Sequence, residues 1–107
     1  MIEVRCRINE DECTMVVKGH AGYNPGNDIV CAGCSAIITM LAGYLVNRLD
    51  RTKLIKMEME SGNADIHVKG DAVDVFEMAV IGLMQIEKAY PNNVKVELEG
   101  QPIEEDS

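Results

Sequence analysis

From Ile29 to Val46 the chain reads IVCAGCSAIITMLAGYLV, 18 residues without a charge. A run of that length grazes the range of a membrane span. It is rich in Ala, Gly, Cys, Ser and Thr, and it lies between segments that need a soluble core. It therefore reads as a core helix, and a helix apolar all round is expected to be buried all round. Asp28 is a good N-cap, so the helix is expected from about Asp28 to Leu49.

Five flanking segments alternate with period two. Ile2, Val4, Cys6 and Ile8 alternate with Glu3, Arg5 and Arg7. Cys13, Met15 and Val17 lead toward Gly19, and this strand is expected to end at His20. Ile55, Met57 and Met59 alternate with Lys56, Glu58 and Glu60; Ala64, Ile66 and Val68 with Asp65, His67 and Lys69. Val94, Val96 and Leu98 alternate with Lys95, Glu97 and Glu99. Such alternation means one buried face and one wet face. Asn9–Glu12 and Ser61–Asn63 are hairpin-length connections. A second helix is expected from about Ala72 to Ala89, capped by Asp71 and ended before Pro91. The order β-β-α-β-β-α-β predicts an α+β two-layer sandwich: a five-stranded mixed or antiparallel sheet with two helices on one face.

The chain has 107 residues, which is one domain, expected over residues 1–100. Residues 101–107, with Glu104, Glu105 and Asp106, read as an acidic, frayed tail. Eighteen acids against ten bases give a net charge of −8. That balance argues against a phosphate-backbone binder, and no Trp with a single Phe argues against a base-stacking platform. Neither nucleic acid nor membrane is therefore an expected partner. Met1–Arg5 lacks a targeting pattern, which suggests a cytoplasmic protein starting at Met1. Two apolar helices exceed what one five-stranded sheet can cover, so a homodimer is expected.

Four Cys in a cytosolic chain read as free thiols. Cys6 and Cys13 sit at apolar strand positions and read as small core residues. Chemistry concentrates in Gly19–Ala36, GHAGYNPGNDIVCAGCSA. Cys31 would be the third helical residue, near unpaired N–H groups and the positive helix end, which favours thiolate. His20 can reach it if the loop folds back, giving a nucleophile and a base. As structural alternatives, Cys31 is a helix-packing residue and His20 a loop histidine. Asp28 caps the helix and could also orient the imidazole. Ser35, one turn after Cys31, either hydrogen-bonds the sulfur or back-bonds within the helix. Gly22 and Gly26 permit positive φ, so the loop either lies beside a bound peptide or simply connects. Cys31-Ala32-Gly33-Cys34 also matches the C-x-x-C of dithiol–disulfide oxidoreductases, although the usual β-α-β context and cis-Pro are not evident. A zinc site from Cys31, Cys34 and His20 lacks an obvious fourth ligand, Cys13 and His67 being the remaining options. No metal or cofactor is expected.

GHAGY, a short loop and GNDIVCAGCSA resemble the ribosomal-processing cysteine protease Prp family, and the resemblance covers most of the chain. It implies a small dimeric protease. The activity implied is removal of an N-terminal extension from the large-subunit ribosomal protein number twenty-seven during ribosome maturation. It also implies Cys31 as nucleophile, His20 as general base, and Asp28 and Ser35 as supporting positions. The loop residues Ala21, Gly22, Tyr23 and Gly26 fall in a segment implied to close over substrate. The loop is shorter than the family pattern, and Cys34 stands where the family usually has an apolar residue. The expected mechanism is acyl-enzyme hydrolysis, with helix N–H groups holding the oxyanion. A basic ribosomal precursor would be steered by the −8 charge, which predicts cleavage that slows with salt. The alternatives are a thiol–disulfide oxidoreductase and a non-catalytic ribosome-assembly module.

Overall fold

The computed structural model describes residues 1–100; the expected acidic tail lies outside the described residues. In chain order it has β1 (Ile2–Ile8), β2 (Glu12–Lys18), α1 (Ile29–Asn47), β3 (Thr52–Glu60), β4 (Asn63–Gly70), α2 (Val73–Ala89) and β5 (Val94–Gly100). The sheet order is β3-β4-β2-β1-β5. All neighbours are antiparallel except β1 and β5, which run parallel, so the sheet is mixed.

Register explains why one face is dry. Val4 sits opposite Val17, Cys6 opposite Met15 and Ile8 opposite Cys13. Met15 in turn faces Ile66, and Val17 faces Ala64. Every one of these residues is buried, so the alternating sets of β1, β2 and β4 meet on a single face. The opposite face carries the charges, including Arg5–Glu97 at 3.6 Å and Lys56–Asp65 at 2.9 Å.

β3 departs from the expected pattern. It starts at Thr52, and its register against β4 slips between Leu54 and Lys56. Thr52 and Leu54 point inward before the slip, while Ile55 becomes the extra residue and is 44% exposed. A bulge of this kind restarts the alternation, which the bare spacing of Ile55, Met57 and Met59 does not reveal.

α1 is capped by Asp28, as expected. Its stripe of Val30, Cys34, Ile38, Leu41 and Leu45 is buried at helical spacing. The helix is long and apolar enough to cross a membrane, yet that stripe belongs to the hydrophobic core. It is not buried all round: Ile29, Ala32, Ala36 and Met40 are exposed. α2 buries Phe76, Ala79, Val80 and Leu83. Its N-cap is Ala72, not Asp71, and no side chain caps it. Asp71 falls one residue too early, with its amide bonded to Arg51 O at 3.3 Å. The helices touch where side chains are smallest. A Cβ on Gly33 would lie 3.4 Å from Ile86 Cδ1, and one on Gly82 3.0 Å from Ile37 Cδ1.

Candidate active site

β2 ends at Lys18, two residues before His20. Gly19 turns the chain with φ +96°, and its amide donates to Gly62 O at 2.9 Å. This ties the base of the loop to the tip of the β3–β4 hairpin. That tip is a two-residue turn, Ser61-Gly62, with Gly62 at φ +73°. The His20 imidazole lies directly on it: a Cβ on Gly62 would fall 2.6 Å from His20 Nε2.

Cys31 is the third residue of α1 and is half-buried. Its Sγ accepts a hydrogen bond from the Ala21 amide at 3.1 Å. Ala21 is itself buried, and its carbonyl accepts from Asn93 Nδ2 at 2.9 Å. Asn93 therefore fixes the backbone that addresses the nucleophile candidate. Nothing in the sequence pointed to it, because it belongs to the connection before β5 and meets Ala21 only in the fold.

The Asp28 carboxylate is fully engaged. Oδ1 accepts from Val30 N and Cys31 N, both at 3.0 Å. Oδ2 accepts from Tyr23 N at 2.9 Å and Asn24 N at 3.1 Å. Desolvation acts to raise its pKa, but these four backbone donors outweigh it and hold the carboxyl below its ordinary range. The carboxylate thus caps α1 and clamps the loop, with no lone pair left to orient the imidazole. The carboxylate takes the Val30 and Cys31 amides and the Asp28 backbone carbonyl takes that of Ala32, so helix-start donors expected to serve an oxyanion are engaged. The Gly22 amide bonds nothing among the described residues and remains available. Beyond it, Tyr23 meets Tyr90 edge-on at 5.2 Å, and Asn24 to Asn27 closes a turn that contains Gly26.

His20 and Cys31 line one cavity of about 410 Å³, a volume suited to a few residues of substrate. Among the described residues no hydrogen bond joins the two side chains. Ile2, Val17, Ile38 and Ala64 give the cavity an apolar lining. Thr39, Glu60, Ser61 and Asn63 add polar groups that sequence reasoning missed, although Ser61–Asn63 reads as a hairpin-length connection. Ser35 lines the same cavity and makes neither of its two expected bonds. Cys34 is buried beside it. Burial first, then the charges of Cys31 and Asp28, push the Cys34 thiol up to about 11. Cys6 and Cys13 are core residues, and Cys13 with His67 lies at the far end of β2 and β4 from His20.

A two-layer α+β fold with a thiol and an imidazole in one open cleft has the equipment of a small cysteine hydrolase. The chain belongs to the cysteine protease Prp family, whose model matches residues 1–95. Its fold is shared with the essential ribosomal processing protease Prp of S. aureus, solved with a covalently linked product peptide. That match has TM-score 0.74 and 21% identity, over 92% of this chain and all (100%) of the other. The same S. aureus protease with a substrate peptide matches at TM-score 0.70 and 22% identity, over 92% of this chain and 100% of that one. SMU.848 from Streptococcus mutans matches at TM-score 0.67 and 23% identity, over 94% of this chain and 96% of that one. No curated relative matches the chain.

Proposed function

We propose that the protein is a cytoplasmic cysteine endopeptidase that removes the N-terminal extension of large-subunit ribosomal protein number twenty-seven, working as a homodimer. The carrying observation is the shared cleft, where the Ala21 amide addresses Cys31 Sγ at 3.1 Å and His20 stands on the hairpin tip. Family membership and the peptide-bound S. aureus structures support a peptide substrate. Cys31 attacks the scissile carbonyl, and its carbon–sulfur bond replaces the bond to the leaving amine. His20 accepts the thiol proton and returns it to that amine. Water then hydrolyses the acyl-enzyme and regenerates the thiol. The Gly22 amide, with that of Ala21 once the sulfur has bonded to the carbonyl carbon, holds the oxyanion of the tetrahedral intermediate. Ser35 and the hairpin tip contact the peptide.

Mass spectrometry of the precursor, incubated with this chain, tests the reading. One cut at the extension junction is expected. Cys31→Ala and His20→Ala should each fold and each lower cleavage at least about a hundredfold. Full activity in either variant removes that residue from the mechanism. Reduction of insulin disulfides by the wild type would favour an oxidoreductase instead.

A further inference from the structure

Cys31 and Cys34 stand one helical turn apart and line the same cavity. They differ in accessibility. Cys31 is half-buried and open to the cleft, whereas Cys34 is 1% exposed. We propose that this pair is an oxidative modification site, at which hydrogen peroxide converts the two thiols to a reversible Cys31–Cys34 disulfide. The proposal rests on the protease reading only for its effect on cleavage.

The steps balance. The Cys31 thiolate attacks peroxide, an S–O bond forms, the O–O bond breaks, and hydroxide leaves and is protonated to water. Cys31 is thereby oxidised to a sulfenic acid. The Cys34 sulfur then attacks Cys31 sulfur, the S–S bond forms, the S–O bond breaks, and hydroxide departs with the Cys34 proton as water. A dithiol returns two electrons and two protons and restores both thiols. The order follows from the structure. Cys31 carries the Ala21 N–H and meets solvent, while Cys34 is held as a thiol by burial and by the Cys31 charge. Conversion of Cys31 to an uncharged sulfenic acid removes that charge and eases the second step.

Geometry sets the character of the bond. Residues at i and i+3 of a helix have Cβ atoms roughly 5–6 Å apart. A disulfide needs about 3.5–4.5 Å, so the first turn must tighten. That turn can yield, because the Cys31 amide is bonded to the Asp28 side chain and not to a backbone carbonyl. Gly33 between the two thiols lowers the cost of the adjustment. The resulting strain makes the link readily reducible. Closing it draws the sulfur into the bond, stops cleavage, and spares Cys31 from irreversible oxidation.

The test treats the full chain with stoichiometric hydrogen peroxide and reads intact mass, peptide map and cleavage. Wild type should lose about 2 Da and two of its four free thiols. The crosslinked peptide should join Cys31 to Cys34, and dithiothreitol should restore mass and cleavage together. Cys34→Ser, or Cys34→Ala if the serine variant misfolds, should form no link, and with excess peroxide its Cys31 should gain two or three oxygens that dithiothreitol does not remove. Oxygen on wild-type Cys31 with Cys34 still free overturns the proposal, as does a link between Cys6 and Cys13. If the Cys31–Cys34 link forms in a chain that cuts nothing when reduced, the protease reading fails and the modification stands. If the reduced chain cuts and no link forms, the modification alone fails.

Discussion

Asp28 gathers four backbone N–H groups from two sides of the loop–helix junction. Its role as N-cap was legible, because capping is a local preference of short polar side chains at helix starts. Its grip on Tyr23 and Asn24 was not, because it depends on the path of the loop. Asp28→Asn keeps one carbonyl acceptor of the two carboxylate oxygens. The variant should retain α1, melt at a lower temperature, and be cut faster by a nonspecific protease within residues 22–27. The pH dependence follows from the lowered pKa. Stability from this carboxylate is complete above its ordinary value of 3.8 and is lost as pH falls through the lower folded value. Melting temperatures of wild type and variant should therefore converge on acidification below 3.8. A gap that stays constant from neutral pH to well below that value rejects the assignment.

The β3–β4 hairpin is both a sheet edge and a wall of the cleft. Its connection was legible in Ser61–Asn63, but its contact with His20 joins positions far apart in sequence and has no local signature. The bulge at Ile55 was hidden for a related reason: spacing records the alternation of residues, not where a ladder slips. Gly62→Ala meets two obstacles, a φ of +73° and the His20 ring 2.6 Å from the new Cβ. The backbone strain costs about 1 kcal/mol. Displacement of the imidazole should cost more in function, roughly a hundredfold in kcat/KM. Unfolding in denaturant and steady-state kinetics on one preparation separate the two effects. A variant destabilised as expected yet fully active shows that His20 needs no support from the hairpin.

Taken together, the helices carry more apolar surface than the sheet covers. That excess was legible as a count of apolar positions, while the face left open was not. It lies on the outer side of α1, where Ile29 is 60% and Met40 51% exposed, and at its end, where Leu49 is 59% exposed. The proposed pairing of two copies places this uncharged face in the interface. Met40→Glu should convert a dimer in sedimentation equilibrium to a monomer with an unchanged far-UV spectrum. A wild type already monomeric at micromolar concentration, or a variant still dimeric, rejects that face. The sheet also ties the two ends of the described chain together. β5 lies parallel to β1, and Ile2, a wall of the cleft, is paired with Val94. β5 thus backs the strand that carries Ile2, so damage at this sheet edge reaches the cleft through β1 although no β5 residue lines it.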